Sequence, residues 1–222
     1  MIDVAVTVLR VFCGPGGQHG NPLGVVLDGP AVPEDDRQAI ARMLNYSETV
    51  FVDDAETGRV RIYTPTIELP FAGHPVIGTG WLLRREGRPA EALLTPAGRI
   101  PLEHRDGRTT FARARAEWSP PFELIEHGSA AEVEALEPAG DWSYEWAWID
   151  EDAGTIRARC FVAEAGIAED EATGSAVVAL SARLGRPIEV RQGHGSVIHA
   201  RPVQEPGEPD DLVEFGGIVV LA

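Results

Sequence analysis

Apolar residues run along this chain in two regimes. Most of them fall in short alternating or continuous stretches bounded by Gly, Pro, Asn and Asp, the pattern of β-strands between turns. Two stretches are longer and apolar on nearly every side. Phe71–Gly87 (FAGHPVIGTGWLLRREG) opens with small residues and Pro75, runs through Val76, Ile77, Trp81, Leu82 and Leu83, and closes on a glycine. The second begins after Glu169-Asp170 with Thr173-Gly174-Ser175, continues through Val177, Val178, Leu180, Ala182 and Leu184, and stops at Gly185-Arg186-Pro187. A helix that is apolar all round belongs in a core rather than on a surface. The pattern predicts two buried helices with the same grammar.

The rest of the chain predicts strands and one amphipathic helix. Ile2–Phe12 and Pro22–Leu27 read as a hairpin joined by a long glycine-rich loop that carries His19 and Asn21. Pro33–Leu44 opens with acids and spaces Ile40, Met43 and Leu44 along one face, the marks of an outer helix. Glu48–Val52 and Arg59–Tyr63 form a second hairpin, with Glu48 at the strand's first residues. Strands around Ala92–Leu94, Ile100–His104 and Thr109–Arg115 follow, turning at Asp106-Gly107. Many short strands around one helix suggest a sheet curled into a barrel, so the fold class is α+β.

Trp118-Ser119-Pro120-Pro121 ends regular structure, and the pattern restarts after it. We therefore expect one half over residues 1–118, possibly joined by the chain's last strand, and another over 122–222. In the second half, Ser129–Leu136 reads as a short surface helix in an acidic segment. Tyr144–Ile149 and Ile156–Val162 read as paired strands, and Trp142, Tyr144, Trp146 and Trp148 alternate as a packing face would. Ala163–Ile167 reads as a loop leading to Glu169 and Asp170. Ile188–Gln192, Ser196–Arg201 and Leu212–Leu221 complete the strands.

Composition narrows the function. The chain has 222 residues and a formal net charge of −16, which argues against nucleic acid or an anionic membrane as partner, since each requires a basic footprint. No apolar run approaches the roughly 18 residues that span a bilayer, and no basic-then-apolar leader opens the sequence. The expectation is a cytoplasmic protein that takes a small-molecule substrate. Cys13 and Cys160 read as buried thiols rather than a disulfide.

The six histidines lack metal-ligand spacing, so no metal is expected. No phosphate-binding glycine motif and no Gly-x-Ser-x-Gly elbow occurs. Carboxylate chemistry remains. A helix start carries unpartnered N–H groups and roughly half a positive charge, so Thr173-Gly174-Ser175 can hold a carboxylate or oxyanion. Glu48, His74 and Asp170 could supply proton transfer. Taken singly, Glu48 has an ordinary reading as a solvated strand-end carboxylate, His74 as an N-cap, Asp170 as a capping acid and Ser175 as a first-turn hydroxyl.

Four blocks bring these residues together: Gly20-Asn21-Pro22, Ser47-Glu48-Thr49-Val50-Phe51-Val52, Glu68-Leu69-Pro70-Phe71-Ala72-Gly73-His74-Pro75 and Glu169-Asp170-Glu171-Ala172-Thr173-Gly174-Ser175-Ala176. In residues and in order they resemble the PhzF-like phenazine-biosynthesis isomerases. The resemblance implies a diaminopimelate epimerase-like fold of two pseudo-symmetric halves, each a curled sheet around a central helix, with the active site in the cleft between them. It implies Glu48 as the acid/base that shifts a proton on a small amino- or hydroxy-substituted acid, with His74 and Asp170 positioning the substrate and tuning the site. It implies substrate binding by Asn21, Gly73, Thr173, Gly174 and Ser175. It further implies no cofactor and a homodimer.

Cysteine-dependent relatives place a thiol at each helix start, where this chain has Ala72-Gly73-His74 and Thr173-Gly174-Ser175, so two-thiol racemisation is disfavoured. The chain is shorter than the family usually is, with the shortening expected in the second half. Glu171 stands where many relatives have proline, adding charge beside Asp170. An epimerase, a lyase or a catalytically silent binding protein on the same scaffold are the alternatives.

Overall fold

The computed structural model describes residues 4–222. The chain opens with β1 (Thr7–Cys13), which pairs antiparallel with β2 (Asn21–Val26) as the hairpin pattern predicts. The predicted beginning of that first strand, Ile2, lies outside the described residues. From β2 onward the chain makes one pass through α1 (Glu34–Leu44), β3 (Glu48–Asp54), β4 (Arg59–Tyr63), β5 (Glu68–Leu69), α2 (Gly73–Arg85), β6 (Ala92–Thr95), β7 (Gly98–His104) and β8 (Thr109–Arg115). It then makes a second pass through β9 (Glu123–Glu126), α3 (Ala130–Glu134), β10 (Ser143–Asp150), β11 (Thr155–Val162), β12 (Ile167–Asp170), α4 (Gly174–Leu184), β13 (Ile188–Gln192), β14 (Ser196–Pro202) and β15 (Leu212–Leu221).

The two passes repeat each other pairing for pairing. β2 runs parallel to β3 across α1, as β9 runs parallel to β10 across α3. β3 and β4 are antiparallel, as are β10 and β11. A short strand then adds antiparallel to β4 (β5) or β11 (β12) before the apolar helix. After that helix the chain returns parallel, β4 to β6 and β11 to β13. Even the irregularities coincide: the β3–β4 ladder slips between Val52 and Asp54, and the β10–β11 ladder between Trp148 and Asp150.

Counting back from those bulges, Glu48 and Tyr144 occupy the same place in the two repeats. Each also lies opposite a leucine of the preceding parallel strand, Leu23 or Leu124.

All strands join one 15-stranded sheet. β15 is the common member: it pairs with β8, with β14 and, through its last residues, with β1. The strands from β1 to β8 thereby close on themselves through β15, leaving no free edge on that side. One large core contains residues of both helices, among them Val76, Ile77, Leu82, Val177, Val178 and Leu180. The outer helix α1 covers a smaller cluster of Val26, Val32, Ile40, Ala41, Phe51 and Tyr63. None of the described helices is long and apolar enough to cross a membrane.

Four details differ from the sequence reading. Glu123–Glu126 is a strand whose half-exposed, acid-flanked edge position disguises its alternation. Residues 167–170 are a strand rather than the end of a loop, held by only two residue pairs on β11. Trp142 leaves the aromatic alternation: it precedes β10 with φ +52°, while Tyr144 and Trp146 are buried as read. The surface helix shortens to α3, with Ser129 as its N-cap accepting from the Glu132 N–H at 3.3 Å.

Candidate active site

Side-chain alternation on β3 puts Glu48 on the face of Val50 and Val52, which belong to the large core, while Phe51 faces the α1 cluster. Glu48 is therefore carried inward by the same pattern that builds the strand. His74 is the second residue of α2, and Asp170 is the last residue of β12. The starts of α2 and α4 meet at their glycines. A Cβ on Gly73 would sit 2.6 Å from Gly174 Cα, so only hydrogen at that position allows the approach. Phe12, held at φ +64° in the bulge of β1, packs its ring against Gly174 as well.

That junction brings the predicted triad together. His74 Nε2 lies 3.2 Å from Glu48 Oε2, without the geometry of a hydrogen bond, so both atoms are buried and unpartnered. Asn21 Nδ2 donates to Asp170 Oδ1 at 2.7 Å and to the Ala172 carbonyl at 2.9 Å, and stands 3.3 Å from His74 Nδ1. Its Oδ1 accepts from the Ser47 hydroxyl at 2.9 Å. Thr173 Oγ1 donates to Asp170 Oδ2 at 2.6 Å. Residues far apart in sequence thus form one polar cluster across the seam between the repeats.

Burial sets the protonation states. It holds the Glu48 carboxyl well above the usual glutamate range, and the Asp170 charge pushes the same way. It pushes the His74 imidazole down to about 3, against the Pro22 carbonyl, so the ring is neutral at neutral pH. It raises Asp170 to about 6, with hydrogen bonds from Thr173 and Asn21 and the nearby Ser47 hydroxyl pulling back and Glu171 adding a smaller upward push. Glu48 is thus the group of the cluster that keeps a proton most readily, beside an imidazole that does not compete for it as a cation.

Both helix starts are open. Neither Ala72 nor Thr173 caps its helix with a side chain. The first bonds within the helices reach back from Val76 to Ala72 and from Val177 to Thr173. The preceding N–H groups, including those of Gly73, His74, Gly174 and Ser175, have no partner inside the helices, and Pro75 contributes none. Two positive helix ends converge on the cluster, an arrangement that attracts a carboxylate.

A cavity of about 20 Å³ lies at this seam. Its polar lining comes from Glu48, Thr64, Asp170, Thr173 and Ser175, and its apolar lining includes Leu69, Ala72, Phe122, Trp142 and Ile167. His74, Asn21, Gly73 and Gly174 are outside the lining. Asn21 is fully buried, and its amide hydrogens go to protein acceptors. Larger hollows lie elsewhere, among them ones of about 450 and 480 Å³ along β7, β8, β14 and β15 and one of about 770 Å³ between Asp54–Glu56 and Gly87–Pro89, and they contain none of the predicted site residues. Among the described residues no cluster of three or more His, Cys, Asp or Glu is arranged to hold a metal.

The sequence reading passed over Gln192. Its Oε1 accepts from the Tyr144 hydroxyl at 3.0 Å and the Thr173 N–H at 3.1 Å; its Nε2 donates to Thr173 Oγ1 and to the Asp170 carbonyl, both at 2.9 Å. A signal was present: period-two alternation places Gln192 on the buried face with Ile188 and Val190. Glu169, by contrast, turns away and pairs with Arg159 at 2.6 Å.

Comparison with known proteins places the chain in a family. Residues 14–147 match the family described as Phenazine biosynthesis-like protein. The chain is 30% identical to an uncharacterized isomerase of Deinococcus radiodurans over 265 aligned positions, covering 92% of this chain and 85% of that protein. It is 31% identical to the trans-2,3-dihydro-3-hydroxyanthranilate isomerase of Pseudomonas aeruginosa over 253 positions, covering 90% of each. Both alignments are longer than the chain, so each relative carries segments without a counterpart here.

Among solved structures, the Bacillus anthracis phenazine biosynthesis protein of the PhzF family superposes with a TM-score of 0.79 at 21% identity, covering 100% of this chain and 97% of that one. A hydroxyproline epimerase of Agrobacterium vitis superposes with a TM-score of 0.64 at 14% identity, covering 98% and 90%. The repeated strand–helix pairings, the facing helix starts and these matches lead to one conclusion: the chain belongs to the PhzF-like phenazine biosynthesis family and has its diaminopimelate epimerase-like fold.

Proposed function

We propose that this protein is a cofactor-independent isomerase that moves a proton between two carbons of a small amino- or hydroxy-substituted carboxylic acid, with Glu48 carrying the proton. The observation that supports this most directly is the buried, underpartnered Glu48–His74 pair facing two uncapped helix starts. The substrate carboxylate would take the open N–H groups beside Gly73 and Gly174, with Ser175 and Thr173 at its side. Glu48, starting as the carboxylate, would remove a proton from one carbon as the electron pair enters the conjugated system. The resulting carboxylic acid, whose proton exchanges in part with water before delivery, would protonate a second carbon on the same face, leaving composition and net charge unchanged.

Neutral His74 orients Glu48, and ionised Asp170 accepts a hydrogen bond from the substrate's amino or hydroxyl group. Because Glu48 must start ionised and its proton is held tightly, the rate rises with pH through a midpoint above the ordinary glutamate range. A cavity of about 20 Å³ has room for little more than one water, so the two repeats must part before a ring enters. The names of the relatives suggest trans-2,3-dihydro-3-hydroxyanthranilate as the first compound to try.

The thiols favour a carboxylate mechanism over racemisation by cysteines. Cys160 pairs with Asp170 on the β11–β12 ladder but is fully buried, and burial pushes its thiol well up. Cys13 lies on β1 rather than in either helix, and burial raises its thiol as well.

The test is proton-to-deuteron exchange followed by NMR in heavy water, with trans-2,3-dihydro-3-hydroxyanthranilate and a panel of cyclic and acyclic amino acids. Deuterium entering one compound without change in its other atoms, and not with Glu48→Gln, is the expected result. Equal incorporation by the variant, or loss of water from the product, would reject the proposal.

A further inference from the structure

We propose that Gln192, anchored by Tyr144, is a positioning residue that fixes the direction of the hydrogen bond between Thr173 and Asp170. Its meaning for catalysis rests on the function proposed above, but the arrangement is argued from chemistry that needs no substrate.

The amide orientation is forced. The Thr173 backbone N–H can only donate, so the Gln192 atom 3.1 Å from it is the oxygen; the Asp170 backbone carbonyl can only accept, so the atom 2.9 Å from it is the nitrogen. The Tyr144 hydroxyl then donates its hydrogen to the same oxygen. With the nitrogen fixed, its second hydrogen goes to Thr173 Oγ1 at 2.9 Å. A hydroxyl that receives this hydrogen bond has its own hydrogen left to give, and the acceptor in reach is Asp170 Oδ2 at 2.6 Å.

Asp170 Oδ1 meanwhile receives Asn21 Nδ2. Both carboxylate oxygens are therefore donated to, the pattern that suits the ionised acid. Gln192, Tyr144 and Thr173 are buried, so water does not substitute readily for any link. The anchor has a place in the repeat: Tyr144 stands where the first repeat has Glu48.

The consequence reaches Glu48 through charge. The ionisable groups around Asp170 are Glu48 from the first repeat, His74 through their shared neighbour Asn21, Cys160 on the adjoining strand, Tyr144 on the next, and Glu171 following in the chain. An ionised Asp170 raises the proton affinity of Glu48. By orienting Thr173, Gln192 keeps Asp170 the acceptor and Glu48 the proton carrier.

The experiment follows the Asp170 carboxyl carbon by NMR in protein labelled with ¹³C-aspartate, its signal assigned by loss in Asp170→Asn, across a pH titration. Gln192→Leu should raise the Asp170 midpoint by about one pH unit. Tyr144→Phe should raise it by less, and Thr173→Ser, which keeps the hydroxyl, should leave it in place. In a Thr173→Val background Gln192→Leu should add nothing further, a result that general loosening of the α4 start would not give.

An unmoved midpoint in Gln192→Leu, or the same shift with and without the Thr173 hydroxyl, overturns the proposal. If Gln192→Leu does not fold, Tyr144→Phe decides: an upward shift supports it and an unmoved midpoint overturns it. These titrations read Asp170 in the substrate-free protein. Failure of isomerisation with intact Asp170 shifts would count against the Glu48 mechanism alone, and the reverse pattern against the positioning role alone.

Discussion

The two repeats share one scaffold and treat its central polar position in opposite ways. In the first, Glu48 and His74 face each other at 3.2 Å with an oxygen and a nitrogen left unpartnered. In the second, the equivalent Tyr144 is bonded to Gln192, and Gln192 in turn secures Thr173 and Asp170. Leaving buried polar atoms unpaired costs on the order of 1–3 kcal/mol each, whereas a satisfied network rigidifies its surroundings. At this central position the repeat that would exchange a proton carries that cost, and the repeat that would hold the substrate does not. The two repeats have the frame in common, and the division of labour lies in a handful of side chains.

The largest effect comes from exchanging the paired positions' chemistry. Glu48→Gln should lower turnover by roughly 10²–10⁴-fold, while Tyr144→Phe, at the matching place, should lower it by about tenfold or less. Comparable losses from both, measured as kcat on the same substrate, would erase the functional distinction between the repeats.

Stability against pH separates the halves next. Asp170 is raised to about 6 in the folded protein, so its contribution is present below the ordinary aspartate range and is lost as pH rises through about 6. His74 is lowered to about 3, so its contribution has the opposite slope: stability falls as pH drops from the ordinary histidine range toward 3. The two oppose each other over the interval between the ordinary aspartate value and about 6. Asp170→Asn should remove one slope, on the order of 3 kcal/mol across that interval before counting its lost hydrogen bonds. His74→Gln should remove the other. Denaturation curves at a series of pH values check both signs; slopes of the same sign in the two variants would contradict the assigned shifts.

A smaller effect probes the seam itself. Gly73→Ala forces a methyl to within 2.6 Å of Gly174, and separating the helix starts should cost about 1–3 kcal/mol together with much of the activity. Calorimetry showing an unchanged Tm would mean the starts are not in contact. Smallest of all, Ser129→Ala removes the cap of α3, with an expected loss of about 1 kcal/mol and no change in turnover. Its counterpart α1 has no side-chain cap to lose.

Much of this was legible in the sequence because local pattern encodes local structure. The apolar runs fixed both central helices, and Pro75, Gly87 and Gly185 marked their ends. The four blocks pointed to Glu48, His74 and Asp170 before any distance was available. What stayed hidden depends on partners distant in the chain. Tyr144 reads as one more aromatic of a packing face, since nothing nearby announces that its hydroxyl meets Gln192. Asn21 reads as a loop residue near a ligand, whereas its hydrogens close the seam on Asp170 and Ala172. β12 rests on two pairings, too few for alternation to betray it.

The most direct measurement is the titration of the Glu48 carboxyl carbon by NMR in protein labelled with ¹³C-glutamate, with Glu48→Gln to assign the signal. The account predicts one glutamate that keeps its proton far above the range of the others, and whose midpoint falls when Asp170→Asn removes the neighbouring charge. If every glutamate titrates in the ordinary range, Glu48 is not the proton-holding member of the cluster, and the contrast between the two repeats loses its basis.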